Sequence, residues 1–314
     1  VLQFHQVDYL TVAFVDEGSD LRRAGVKLPI MVLSPHESAF DDIIQYNIEP
    51  EIYSLRILKA FVEYLRDQNI QNYPIHLKLD TGMHRLGFME SEIDDLLDIL
   101  INHKEVKVVS VFSHLVGAGS KDLIDFTAHQ ITVYNTIVNK IKNALRYDFI
   151  RHICNTSGIS QHPEAHMDMV RLGIGLYGYD MSSQDLDLEE VGILKTTITQ
   201  IKHIPKTETI GYDRKGVLTR DSIIATVKIG YADGYNRRFG NGVGEMLVNG
   251  QMVRTVGNIC MDMCMLDVTD VYAKEGDEVI VFPDVTEASR RIGTISYELL
   301  TGISARVKRV YYYE

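Results

Sequence analysis

The stretch IHLKLDTGMHR, residues 75–85, decides the fold. It is a run of apolar β-formers that ends in a polar cluster, and the same pattern recurs at 106–114 (VKVVSVFSH), 149–157 (FIRHICNTS) and 169–178 (MVRLGIGLYG). Strands that close on Arg, His, Asn, Thr or Gly are what a (β/α) barrel shows where its strands emerge at the catalytic rim. Within residues 75–81, alternation puts His76, Lys78 and Asp80 on one face and Ile75, Leu77 and Leu79 on the other. A lysine at the centre of an interior face is costly unless it is paired or modified. Lys78 is therefore either a salt-bridged barrel residue or part of a site.

Outward from this stretch, strand-like and helical patterns alternate up to about residue 180. Strands are predicted at 9–14, 29–34, 48–53, 75–81, 106–114, 149–155 and 170–177, and helices at 16–24, 41–46, 54–67, 90–100 and 121–145. Such alternation implies parallel βα units. Seven strand candidates fall one short of the eight that a closed barrel needs, so the chain reads as a TIM-like α/β barrel lacking its first βα unit. From about Glu189 the texture changes to short β-rich runs at 196–204, 222–229, 244–253, 261–268 and 278–282, with VNGQ at 248–251 as a hairpin signal. The predicted organisation is a barrel over 1–188 followed by an all-β domain over 189–314.

Bulk properties narrow the function. A net charge of −11 over 314 residues argues against a nucleic-acid partner, because phosphate binding wants a basic surface. No signal peptide or membrane-spanning run is visible, and a reducing cytoplasm is the expected setting. Cys154, Cys260 and Cys264 have no zinc-type pairing, so they read as thiols and no metal is expected. The chain starts without methionine, at VLQFHQ; the expectation is a piece of a longer polypeptide.

Several polar residues stand out. Arg85, presented after the turn at Gly82, suits a carboxylate or phosphate. His114 ends an apolar strand, where a satisfied core histidine is the alternative. His152, Asn155, Thr156 and Ser157 precede a short helical turn whose hydroxyl and N–H groups could form an anion site. Arg171 lies in an apolar run, where arginine is almost never placed for solubility, and Gly173 and Gly175 let the backbone approach a ligand. Tyr212, Tyr231 and Met261 look ordinary taken singly.

In order along the chain, KLDTGMHRLG, FSH, HICNTSG, VRLGIGLYG, GYD, GYADGY, GNICMDM and ISYELL resemble the alanine racemases, fold-type III enzymes that use pyridoxal phosphate (PLP). The resemblance runs over essentially the whole chain. It implies a PLP-binding barrel and a β domain working as a head-to-tail homodimer with shared sites, interconverting L- and D-alanine for peptidoglycan by a two-base mechanism. Arg171 resembles the arginine that hydrogen-bonds the pyridine nitrogen, and His152 the residue that supports it. Tyr212 resembles one of the two bases; a phenol needs a polar neighbour for that task, and His114 resembles that neighbour and a contact to the ring. Thr156, Tyr297, Asn155 and the backbone at Gly173 and Ile174 resemble the phosphate cradle. Arg85 resembles the arginine near the cofactor's phenolic oxygen and the substrate carboxylate, Met261 a substrate contact from the partner, and Tyr231 a gate in the access channel. Lys78 resembles a lysine that is carbamylated in many members, which would turn a buried cation into an anion able to hold Arg85.

One part of the family's pattern has no match. The lysine that carries the cofactor, in a motif like VKANAYGHG, would precede Val1, and Lys27, Lys59 and Lys78 all lack its context. A polypeptide of these residues alone is therefore expected to be inactive, while its parent is a racemase, in some bacteria fused behind a cell-wall ligase. The alternatives are a decarboxylase of the same fold type, which places an acid rather than Arg171 at the ring nitrogen, a non-catalytic PLP carrier, and a relic that has lost its lysine.

Overall fold

The computed structural model describes residues 1–180, 182 and 187–312, and these divide into two compact units. The first comprises Val1–Leu176 and Asp180–Asp187, the second Tyr177–Tyr179 and Leu188–Glu314.

In the first unit, six strands lie parallel in chain order: β1 (Leu10–Val12), β2 (Ile30–Val32), β3 (Glu49–Ile52), β4 (Tyr73–Lys78), β5 (Val106–Phe112) and β6 (Ile150–His152). Helices α1 (Val15–Arg23), α2 (Phe40–Gln45), α3 (Leu55–Asp67), α4 (Ile93–Asn102) and α5 (Ile124–Leu145) make the crossovers, and α6 (Thr156–Gln161) follows β6. Local chemistry sets their ends. The Ser54 hydroxyl accepts from Ile57 N at the start of α3, and Glu17 accepts from the amides of Ala13 and Phe14 ahead of α1. α3 buries Ile57, Leu58, Phe61, Val62 and Leu65 against the core that also holds Ile75, Leu77 and Leu79. Full burial of each such side chain contributes about 1.5–3 kcal/mol, so Phe61→Ala would cost about 3–5 kcal/mol.

The alternation predicted for β4 holds: Ile75, Leu77 and Leu79 face the helices, while His76 and Lys78 are buried among polar groups. The sheet is an open half-barrel of six strands among the described residues, not a closed barrel of seven or eight. The run at 170–177 is not a strand. Arg171 N donates to Cys154 O, but the amides of Gly173 and Gly175 turn to the Thr156 hydroxyl, and a 3₁₀ turn follows over Ile174–Tyr177. Backbone groups satisfied by a side chain leave no ladder to form.

The second unit is built on a closed barrel in the order β10-β13-β12-β11-β14-β7. Its strands are β7 (Lys195–Ile204), β10 (Ser222–Val227), β11 (Glu245–Val248), β12 (Gln251–Thr255), β13 (Cys264–Asp267) and β14 (Glu278–Ile280), with β8 (Thr209–Ile210) and β9 (Gly216–Val217) paired separately. The predicted hairpin is present, with Val248 opposite Gln251. The unit is not purely β, since α7 (Val285–Arg291) and α8 (Ser296–Thr301) follow the last strand.

Candidate active site

In the first unit, the strand ends converge on Arg171. Its Nη1 donates to His152 Nδ1 (2.7 Å), and its Nη2 to the carbonyls of Ser113 (2.6 Å) and Ile153 (3.2 Å), with His114 Nδ1 at 3.4 Å. The guanidinium also lies 5.2 Å from the Phe112 ring, on which His152 stacks at 4.8 Å. An arginine has five N–H donors and no acceptor. The Nε hydrogen and one Nη1 hydrogen of Arg171 have no acceptor among the described residues.

Electrostatics follow from burial. Desolvation, then the nearby charges of Arg171, Lys78 and Arg85, holds His114 down at about 3, and desolvation with Arg171 places His152 well below the usual imidazole range. Both rings are therefore neutral at working pH, as their acceptor role toward Arg171 requires. Burial lowers Arg171 to about 10, so it stays a cation. Lys78, its ammonium 4.4 Å from the Phe112 ring, falls to about 8 through burial, with Glu51 opposing and Arg171 and Arg85 assisting. Burial pushes Glu51 up to about 7 against the pull of Lys78, Arg171 and Arg85. Desolvated, shifted groups gathered in one place mark a functional site.

The remaining first-unit residues sit as follows. Arg85 is exposed on a loop that folds back on its own strand, since Phe88 N donates to Lys78 O and Asp80 N to Phe88 O. Gly87 makes that return possible: its φ is +126°, and a Cβ there would lie 2.6 Å from Asp80 N. Asn155 is the cap of α6, accepting from Gly158 N and donating to Leu115 O. Thr156 Oγ1 accepts from the amides of Gly173 (3.1 Å) and Gly175 (3.3 Å), while its own hydrogen has no acceptor among the described residues. The Gly173 amide is thus spent inside the chain, and Ile174 is buried beside it. Ser157 turns away, to Asp180. Glu49, Glu51, Ser110 and Ser113 were missed by sequence reasoning. The two glutamates carried a signal: in IEPEIY they share one strand face, as His76 and Lys78 do.

In the second unit, Tyr231 and Met261 are brought together by backbone pairing, Tyr231 N to Cys260 O and Ala232 N to Met261 O, each 3.0 Å. A Cβ on Gly230 would meet Met261 O at 2.3 Å, so that approach requires glycine. Asn258 Nδ2 donates to Tyr212 O, tying the third residue to the same rim. Tyr212, Tyr231 and Met261 are 68%, 43% and 54% exposed. Tyr297 lies on α8, part-exposed.

Two family models match, alanine racemase N-terminal domain over residues 1–181 and alanine racemase C-terminal domain over residues 191–311. The chain belongs to the alanine racemase family. It is 38% identical to the alanine racemase of Clostridium tetani over 96% of its own length and 81% of the relative's. Among solved structures, the alanine racemase of Clostridium difficile 630 superposes with a TM-score of 0.91 at 34% identity, covering 99% of this chain and 83% of that one. The alanine racemase of Bartonella henselae, described with covalently bound pyridoxal phosphate, gives 0.89 at 26% identity over 99% and 87%. The fold is that of an alanine racemase, an α/β unit followed by a β unit, and the family's enzymes are isomerases that act on alanine. No helix among the described residues is long and apolar enough to cross a membrane.

Proposed function

We propose that this chain carries the machinery for interconverting L- and D-alanine with PLP by a two-base route, in the cytoplasm and in the service of peptidoglycan. The observation that carries the reading is Arg171, a desolvated guanidinium pinned by His152, Ser113 and Ile153 with two N–H groups still unmatched. Those donors suit an unprotonated pyridine nitrogen, and the spare Thr156 hydrogen suits a phosphate oxygen. When bound, PLP supplies the electron sink that makes the hydrogen on Cα acidic.

The chain's own residues do the rest. Because Arg171 keeps its proton at any working pH, it donates to the ring nitrogen without protonating it, which keeps the sink weak and favours return of the proton to Cα over transamination. The Thr156 hydroxyl and the backbone at Ile174 hold the phosphate, with the Gly173 amide bracing Thr156 and Asn155 shaping the turn as the helix cap; the resemblance assigns Tyr297 to the same group. Arg85 orients the substrate carboxylate, and the resemblance gives Met261 a contact to the same group and Tyr231 control of access. The Tyr212 phenolic oxygen takes or gives the Cα proton on one face. The exposure of Tyr212, Tyr231 and Met261 on one rim supports a homodimer in which each β unit completes the partner's site. Lys78, buried with a lowered affinity for its proton, is suited to carbamylation, since that reaction needs the neutral amine.

The lysine inventory favours a second reading for this polypeptide taken alone. Lys78 is the one lysine of the first unit that is not exposed among the described residues, and the resemblance gives it another role. On that reading, residues 1–314 bind PLP without turning over alanine. Exchange of the α-hydrogen of L-alanine in deuterated water tests both. The intact protein is expected to exchange and racemise; an intact protein that binds PLP without exchange would establish the relic.

A further inference from the structure

Arg171 is the end of a longer chain of hydrogen bonds, all within the first unit. His152 Nε2 lies 3.0 Å from Ser110 Oγ, Ser110 Oγ lies 2.6 Å from His76 Nδ1, and His76 Nε2 lies 2.9 Å from Glu49 Oε2. His76, Ser110 and His152 are fully buried. Glu49 is the link nearest solvent, with its side chain 16% exposed, and Tyr9 also donates to it (3.2 Å).

The direction of every bond is forced. Arg171 can only donate, so His152 Nδ1 must accept and its hydrogen sits on Nε2. That hydrogen goes to Ser110, whose single hydroxyl hydrogen is left for His76 Nδ1. His76 then carries its hydrogen on Nε2 and gives it to a carboxylate, which can only accept. A cation stands at one end, an anion at the other, and no link can be reversed without leaving a buried group unmatched.

We propose that Glu49 and His76 are positioning residues that act through Ser110 and His152 to aim the two unmatched N–H groups of Arg171 at the cofactor ring. The inference rests on the proposed function for its ligand, but its first test does not. In the unliganded full chain, ring-nitrogen NMR shows His76 and His152 each protonated on Nε2 and bare on Nδ1. A hydrogen on Nδ1 of either ring overturns the proposal, and no variant is needed to find it.

The second test is PLP affinity by fluorescence titration, without turnover. Glu49→Gln and Ser110→Ala each weaken binding about tenfold, the usual size for a residue supporting a ligand-holding group. In a protein already carrying Ser110→Ala, adding Glu49→Gln costs nothing more, because the line is already cut. Losses that multiply, or a Glu49→Gln protein that binds as the wild type does, overturn the relay. Arg171→Lys separates the two possible failures. If it weakens PLP binding and Glu49→Gln does not, the relay is wrong and the cofactor reading stands. If it leaves binding unchanged, the ring-nitrogen reading itself is wrong, and the relay loses its target.

Discussion

The interior of the half-barrel and the rim of the β unit present their polar side chains under opposite conditions. In the first, Glu51, Lys78, His152 and Arg171 are desolvated and their proton affinities are bent by burial and by one another. On the rim, Tyr212 stands 68% exposed, and its backbone oxygen accepts from the Asn258 side chain. The interior fixes its polar groups by burial and mutual hydrogen bonds, whereas the rim leaves its tyrosines open to solvent, where the proposed function requires another surface to cover them.

The sharpest way to break this contrast is at Arg171. Arg171→Glu in the intact protein is expected to lower kcat on the order of 10³-fold and to release pyruvate from transamination; an unchanged product profile would refute the ring-nitrogen role. On the rim, Tyr212→Phe should cost about 10²-fold in hydrogen abstraction from one enantiomer only. Equal losses in both directions, followed by isotope exchange from L- and D-alanine, would remove the two-base assignment.

Acid provides a subtler probe of the interior. Near pH 5.5 the unfolded chain holds a proton on each of the imidazoles of His114 and His152, while the folded protein, whose rings stay bare, holds one on Glu51. The unfolded state thus binds about one proton more there, and stability falls on acidification by about 1.4 kcal/mol per pH unit. Urea titrations around that pH check the sign; stability that rises as pH falls would mean that the rings are not buried neutral. Smallest is Thr156→Val, which strands the Gly173 and Gly175 amides at about 1–3 kcal/mol. Thr156→Ser keeps the acceptor oxygen and loses a methyl group, about 1 kcal/mol. A valine protein as stable as the serine one would show that those amides do not need the hydroxyl.

Much of this was legible in the residues. The alternation of His76 and Lys78 against Ile75, Leu77 and Leu79 fixes both faces of β4, and the Val248–Gln251 hairpin follows from its turn. The run at 170–177 reads as a strand because Arg171 is flanked by apolar residues, whereas the amides of Gly173 and Gly175 answer to a hydroxyl 17 and 19 residues earlier. Contacts between strands were out of reach for a stronger reason. The pairing of β4 with β5 shifts register between Ile75 and His76, and that irregularity sets His76 opposite Ser110. No pattern within either strand announces such a shift, so the line from Glu49 to Arg171 exists only in three dimensions.

The ring of six strands in the second unit has no free edge in its ladder. Frame and decoration are therefore separable there: the loops that hold Tyr212, Tyr231 and Met261 can exchange residues while the hydrogen-bonded hoop beneath them keeps its registration. Such a hoop gives natural variation, or an engineer, a place to change the residues of that rim without rebuilding the molecule.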